Sequence, residues 1–265
     1  MLLQWQRFYT NNLNESNFMT STIRIAALTM FILTSGAASA IDLGGMLGAG
    51  KDLAKAATIS DKDVIEGSRL MMRQMDKEEK VAPAGSKYAK RLAMLTKGLE
   101  NEDGLKLNFA VYQSSEVNAF ATPDGSIRIY AGLMDLMNDD ELRGVIGHEI
   151  GHTKLGHSAS QMKKALLLSA GTKAAGASGN QIGGMVAANE ETIKAFGNAQ
   201  FSQSDETSSD DYGFKFMQKH KYDVRAMESA FRKLAKQEQG EGSMMASHPG
   251  SNSRADRMKA AADKL

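Results

Sequence analysis

Five consecutive residues, His148-Glu149-Ile150-Gly151-His152, put two imidazoles and a carboxylate at a spacing suited to chemistry. On a helix of about 3.6 residues per turn, positions four apart lie roughly 40° apart around the axis. His148 and His152 then share one face, one turn apart. Two neutral imidazoles so placed can hold one zinc ion, and Glu149 beside them can serve as general base on metal-activated water. The pattern is short. It needs a third ligand, a helix to carry it and a groove for a substrate.

A catalytic zinc takes three protein ligands and keeps one position open. His157 is close in sequence, but the HExxHxxGxxH pattern requires glycine at 155 and histidine at 158, where this chain has Leu155 and Ser158. On a continuing helix His157 would lie roughly 180° from His148. It reads as a structural or surface histidine. Glu206 is the better third ligand. Glu206 and Asp210 stand one helical turn apart, so Glu206 can face the metal while Asp210 accepts a hydrogen bond from the far nitrogen of a ligand histidine. Such a bond fixes the tautomer and raises ligand basicity. His220 reads as structural.

The elements around these residues follow from periodicity. Asp61 to Lys80 has helical spacing, and Pro83-Ala84-Gly85 breaks it. Ser86 opens a second helix to about Glu100. Apolar and polar residues alternate from Leu105 to Tyr112, which predicts a strand. Glu116 to Thr122 suggests a second strand, Pro123-Asp124-Gly125 a turn, and Ser126 to Tyr130 a third strand. Asn138 with Glu141 three residues on makes a capping-box start for the helix through both histidines. Further helices are expected at Gln161–Ala170, Glu190–Gln200, Ser204–His220, Asp223–Gln237 and Ser251–Lys264. Gln239 to Pro249 reads as a loop. Gly171 to Gly184 is rich in Gly, Ala and Ser and predicts irregular structure. There are no internal repeats. The expected class is α+β: a mostly helical domain with a small, mainly antiparallel sheet beside the histidine-bearing helix.

The 265-residue chain holds 32 basic and 31 acidic residues. This balance argues against nucleic acid as a partner, which favours a basic surface. Seventeen methionines read as flexible core filler. There are no cysteines, which excludes thiol catalysis, disulfides, cysteine-ligated zinc and a lipid-modified N-terminal cysteine. Residues 1–18 are polar and precede Met19, the expected true start. Residues 19–40 read as a secretory signal. Arg24 supplies the charge, Ile25 to Leu33 the apolar stretch and Ala38-Ser39-Ala40 the cleavage site, so no stable membrane span remains after cleavage. Residues 41–60 form an N-terminal arm, and 61–265 the catalytic domain.

The chain resembles the gluzincin metallopeptidases related to the CAAX prenyl protease Ste24 and to HtpX, and among these the bacterial envelope proteases. The residues that carry the resemblance are Met75-Asp76, Val81-Ala82-Pro83-Ala84, Tyr88-Ala89-Lys90-Arg91-Leu92, Val117-Asn118-Ala119-Phe120-Ala121, Gly132-Leu133-Met134-Asp135, the HExxH with His157 after it, Phe201-Ser202-Gln203 and Asp210-Asp211-Tyr212. It implies a zincin-type fold and one zinc at His148, His152 and Glu206. It also implies Glu149 as general base and Asp210 behind a ligand histidine. Where family members often carry Glu-x-Glu-Ala-Asp, this chain has Thr-Ser-Ser between Glu206 and Asp210.

Asn118, Ala119, Phe120 and Ala121 match the family's substrate-side edge strand, and a free strand edge binds extended peptide through its backbone. His248-Pro249, followed by Arg254, matches a His-Pro element with two open roles. His248 can donate to the oxyanion, or occupy the fourth zinc position and close the site. Arg254 can pair with an acid or line the site.

The resulting expectation is a periplasmic zinc endopeptidase acting on unfolded or misassembled envelope proteins, presented as extended polypeptide. The alternative is a chaperone-like or outer-membrane-assembly-associated factor with gated or minor proteolysis. A zinc-storage protein is a weaker third reading, because structural zinc sites are closed and cysteine-rich.

Overall fold

The computed structural model describes residues 59–170, 190–237 and 244–265. The expected extension, signal and most of the arm, and the Gly171–Gly184 stretch, lie outside the described residues. The first two helices, α1 (Asp61–Glu78) and α2 (Lys87–Leu95), both begin at a serine cap. Ser60 and Asp63 form a reciprocal capping box, and Ser86 accepts from the Ala89 N–H at 3.1 Å. Each cap satisfies an amide that the first helical turn leaves without a partner. α2 stops short of the expected Glu100 because Gly98 turns into the left-handed region at φ 86°. Leu99 still reaches the core from the turn that follows.

Three strands follow: β1 (Asn108–Tyr112), β2 (Ala119–Ala121) and β3 (Ser126–Tyr130). Their order is β1-β3-β2. The Pro123-Asp124-Gly125 turn makes β2 and β3 an antiparallel hairpin, with Phe120 opposite Arg128. An added Cβ on Gly125 would lie 2.0 Å from the Lys106 carbonyl oxygen, so only glycine fits this turn. β1 lies on the other side of β3 and runs parallel to it, so the sheet is mixed. Among the described residues β2 pairs with β3 alone, which leaves β2 at the sheet edge.

Arg128, at the centre of β3, is 4 % exposed. It donates to both oxygens of Asp76 on α1, at 2.9 and 2.8 Å, and the Tyr112 hydroxyl donates to Asp76 at 2.7 Å. Burial pushes the Asp76 carboxyl up, but the Arg128 and Tyr112 hydrogen bonds outweigh it and hold the group below its ordinary range. A carboxylate with a lowered folded-state pKa stabilises the protein above its unfolded pKa of about 4 and loses that contribution as pH falls through the folded value. Asp76→Asn is expected to cost about 1–3 kcal/mol at pH 7, as charge-assisted bonds to a buried guanidinium are lost. Urea unfolding should show the gap between variant and wild type closing as pH is lowered below 4. A gap that stays constant with pH would contradict this.

After β3 come α3 (Ala131–Leu136) and α4 (Asp139–Lys154), the helix expected to carry the chemistry. Asn138 caps α4, and the Glu141 side chain returns to the Asn138 N–H at 2.8 Å. Then come α5 (His157–Ala170), α6 (Glu190–Gly197), α7 (Gln203–Lys219), α8 (Ala226–Leu234), the single turn α9 (Met244–Ser247) and α10 (Ser251–Ala262). No helix among the described residues is long and apolar enough to cross a membrane. From Gly144 to His152 every residue of α4 is buried. Leu142, Val145, Ile146 and Ile150 are each at most 1 % exposed, and each stabilises the fold by about 1.5–3 kcal/mol.

The main core unites the sheet with α2, α4, α7, α8 and α10. A smaller one joins α1, α5 and α6 around Met71, Met162 and Phe196, with Phe120 of β2 packed against it.

Candidate active site

α4 and α7 come close because small residues face each other at the crossing. An added Cβ on Gly147 would meet Phe216 Cδ1 at 2.6 Å, and one on Gly213 would meet the His148 backbone nitrogen at 3.1 Å. This approach carries the first two turns of α7 up to the histidines of α4. α7 itself starts from a second capping box, Ser202 with Asp205.

The result is a buried group of four donors. His148, His152, Glu206 and His248 each offer one atom, and these atoms lie within 4.8 Å of one another. His152 Nε2 is 2.9 Å from His148 Nε2 and 3.2 Å from Glu206 Oε1. His248 Nδ1 is 2.9 Å from the same Glu206 oxygen and 3.2 Å from His148 Nε2. All four side chains are at most 2 % exposed. Imidazole nitrogens and a carboxylate oxygen converging without cysteine suit a borderline divalent cation such as zinc. Glu149 stands beside them, with both carboxylate oxygens buried and without a hydrogen-bond partner among the described residues. Its Oε1 is 3.7 Å from His248 Nε2.

Behind the group lies a charged layer. His148 Nδ1 faces Asp210 Oδ1 at 3.0 Å. Arg254, from α10, donates through Nε and Nη2 to both Asp210 oxygens at 2.9 and 2.6 Å, and its Nη1 pairs with Glu206. Arg257 adds a bond to Asp210 at 3.1 Å. Burial would raise the Glu206 and Asp210 pKa values. For Glu206 the histidines around it prevail, and for Asp210 the His148 bond and the Arg254 guanidinium, so both are held far below the carboxylate range. Burial, reinforced by neighbouring His148, holds His152 well below its ordinary value and hence neutral, as a metal ligand must be.

The structure thus brings His148, Glu149, His152, Glu206, Asp210 and His248 into one site. Asn118, Phe120 and Ala121 line an adjoining cavity of about 170 Å³ that His248, Phe201 and the α6 residues Ile193 and Phe196 close on the other side. Ala119 is buried within β2 and is not among the residues that line that cavity. A larger hollow of about 650 Å³ lies between Arg91, Asn138, Asp223 and Arg225. It sits at the N-terminal end of α4, away from the donors.

Sequence reasoning left Arg254 between two roles, and the structure makes it the ion-pair partner of both Asp210 and Glu206. Phe201 figured only within the Phe201-Ser202-Gln203 resemblance and was given no place at the site; its ring lies 3.8 Å from that of His152 and 5.0 Å from that of His248. The available signal was its place immediately before the Ser202 cap, where an apolar residue often packs inward. His157 was read as structural or surface. It is largely buried and touches His152, its Nδ1 3.3 Å from that of His152.

Residues 87–262 match Peptidase family M48. The chain is 38 % identical over 231 residues to "Metalloprotease LoiP" of Escherichia coli (strain K12), covering 83 % of this chain and 90 % of that one. It is 37 % identical over 229 residues to "Metalloprotease YcaL" of the same organism, covering 83 % and 87 %. A shorter match, 27 % identical over 145 residues, covers 49 % of this chain and 28 % of the "Beta-barrel assembly-enhancing protease" of Yersinia pestis. With the matched region running from α2 to the end of α10, and so taking in every side chain of the donor group, the chain belongs to peptidase family M48, a family of metalloproteases.

Proposed function

We propose that the protein is a zinc endopeptidase of the gluzincin type, with His148, His152 and Glu206 as metal ligands and Glu149 as general base. The observation that carries this reading is the pairing of a buried His, His, Glu donor group with a buried carboxylate whose two oxygens have no hydrogen-bond partner among the described residues. Zinc, when bound, supplies Lewis-acid activation of water at neutral pH. Glu149 takes a proton from the attacking water and returns it to the leaving amine, the general acid–base role its free oxygens allow. Asp210 fixes the tautomer of His148, and Arg254 holds Asp210 in place. The β2 edge receives an extended peptide through backbone hydrogen bonds, which favours broad sequence specificity. Phe120 and the cavity beside it take a substrate side chain.

Unfolded or misassembled envelope proteins fit as substrates because they present extended segments. The name of the Yersinia pestis relative points toward outer-membrane assembly. The periplasm is the proposed compartment, from the Arg24 to Ala40 pattern.

His248 sits among the ligand atoms, which favours its closing role over oxyanion stabilisation and makes proteolysis gated. The test is zinc content together with digestion of a denatured protein by wild type and His248→Ala. One zinc per chain is expected. The variant should cleave about tenfold faster, as removing the plug raises the competent fraction. Slower cleavage by the variant would assign His248 to the oxyanion. Protein that takes up no zinc would overturn the metallopeptidase reading.

A further inference from the structure

Each ligand imidazole needs something to receive the proton on its far nitrogen. For His148 that group is Asp210. His152 is committed in the same way, since its Nε2 faces Glu206 and His148. Its Nδ1 points away, and among the described residues it meets a ring nitrogen of His157 rather than a carboxylate. Gly156 breaks α4 in the left-handed region at φ 79°, and α5 starts at the next residue. The break removes His157 from the α4 register that would have turned it away from the site. Its ring returns edge-on to that of His152, with centroids 5.2 Å apart and planes at 72°. The two Nδ1 atoms are 3.3 Å apart. On the other side His157 Nε2 meets Asp205 Oδ1 at 3.5 Å and Ser208 Oγ at 3.4 Å. Ser209 Oγ braces the ring at 3.1 Å from Nδ1. Three residues of α7, just past the cap that aims Glu206, therefore hold this ring.

We propose that His157 is a positioning residue for the metal centre: its Nδ1 accepts the His152 Nδ1–H, and its own Nε2–H is directed to Asp205. The proposal rests on His152 being a metal ligand through Nε2. An N–H between two imidazoles fixes the tautomer of His152 as a carboxylate would. It confers less negative charge, so the two ligand histidines are backed unequally. Partners of this kind typically change metal affinity about 10–100-fold when removed.

The experiment uses the full chain loaded with zinc and labelled with 15N-histidine. A 15N–15N coupling across the His152–His157 hydrogen bond is expected, and its absence in zinc-loaded wild type would overturn the proposal. In chelator competition, His157→Ala should weaken zinc binding about 10–100-fold. His157→Asn, which can offer an amide oxygen near the place of Nδ1, should recover most of it, with the metal-free unfolding midpoints of the two variants alike. Equal zinc affinity in all three proteins, or losses that follow the metal-free midpoint, would also overturn it. Should His157→Ala not fold, the wild-type coupling decides alone. Failure of wild type itself to bind one zinc would count against the metal-site reading instead.

Discussion

Glu149→Gln is expected to abolish cleavage of unfolded protein while leaving zinc content unchanged. The side chain is 1 % exposed and neither of its oxygens has a hydrogen-bond partner among the described residues. Glutamine keeps its shape and gives up no existing bond, so the fold should tolerate the change. What it removes is the ability to take a proton. General acid–base catalysis by a positioned group contributes about 10²–10⁴-fold, and the digestion rate should fall by at least that factor. Rates on a denatured protein, measured beside metal content, check this. A variant that still cleaves at the wild-type rate would show that Glu149 is not the base. A variant that is proteolytically dead yet sustains the protein's role in cells would favour the chaperone-like reading.

Arg254→Met should cost about 3–5 kcal/mol of folding stability in the metal-free protein. Arg254 is 6 % exposed and pairs with Asp210 and Glu206, which are 0 % and 1 % exposed. Removing it leaves Asp210 with Arg257 and His148 and Glu206 with His152 and His248, and losing one partner of a buried pair costs far more than replacing the whole pair. Methionine fills the volume of the arginine stem, so the loss reports charge more than a cavity. The guanidinium also lies 4.2 Å from the Phe231 ring centre, a contact worth about 0.5–2 kcal/mol that disappears with it. Zinc at Glu206 would replace part of the missing positive charge, so the penalty should shrink when zinc is present. Urea unfolding of variant and wild type, with and without zinc, measures both effects. A metal-free variant as stable as wild type would show that the ion pair contributes nothing.

Helices and their starts were readable where the signal is local. Ser86 and Asn138 act within three residues of themselves, and the apolar spacing of α4 lies within the helix. The hairpin of β2 and β3 was legible because one turn determines it. The parallel pairing of β1 with β3 was not, since it joins segments separated by β2 and no local pattern encodes it. The ends of β1 and α2 were overrun because Leu105, Leu107 and Leu99 are apolar and reach the core from turns. At the site, the four-residue spacing of the histidines and of Glu206 with Asp210 was enough to nominate them. Arg254 stands 44 positions beyond Asp210, and only the tertiary packing of α10 on α7 joins them. His157 lies outside the donor group, in keeping with a structural role, but its contact with His152 was not legible from the spacing of a continuous helix. α4 ends at Lys154, and Gly156 in the left-handed region breaks the register before His157.

α4 has no side facing solvent through its histidine turns. A helix enclosed on all sides cannot fray or tilt by itself without opening the sheet, α7 and α8. Its amide hydrogens between Val145 and Gly151 should therefore exchange only through the same rare opening that unfolds the whole domain. Stripping the metal would then lower protection across the domain's slowest amides together, and hydrogen exchange would read metal occupancy as global stability.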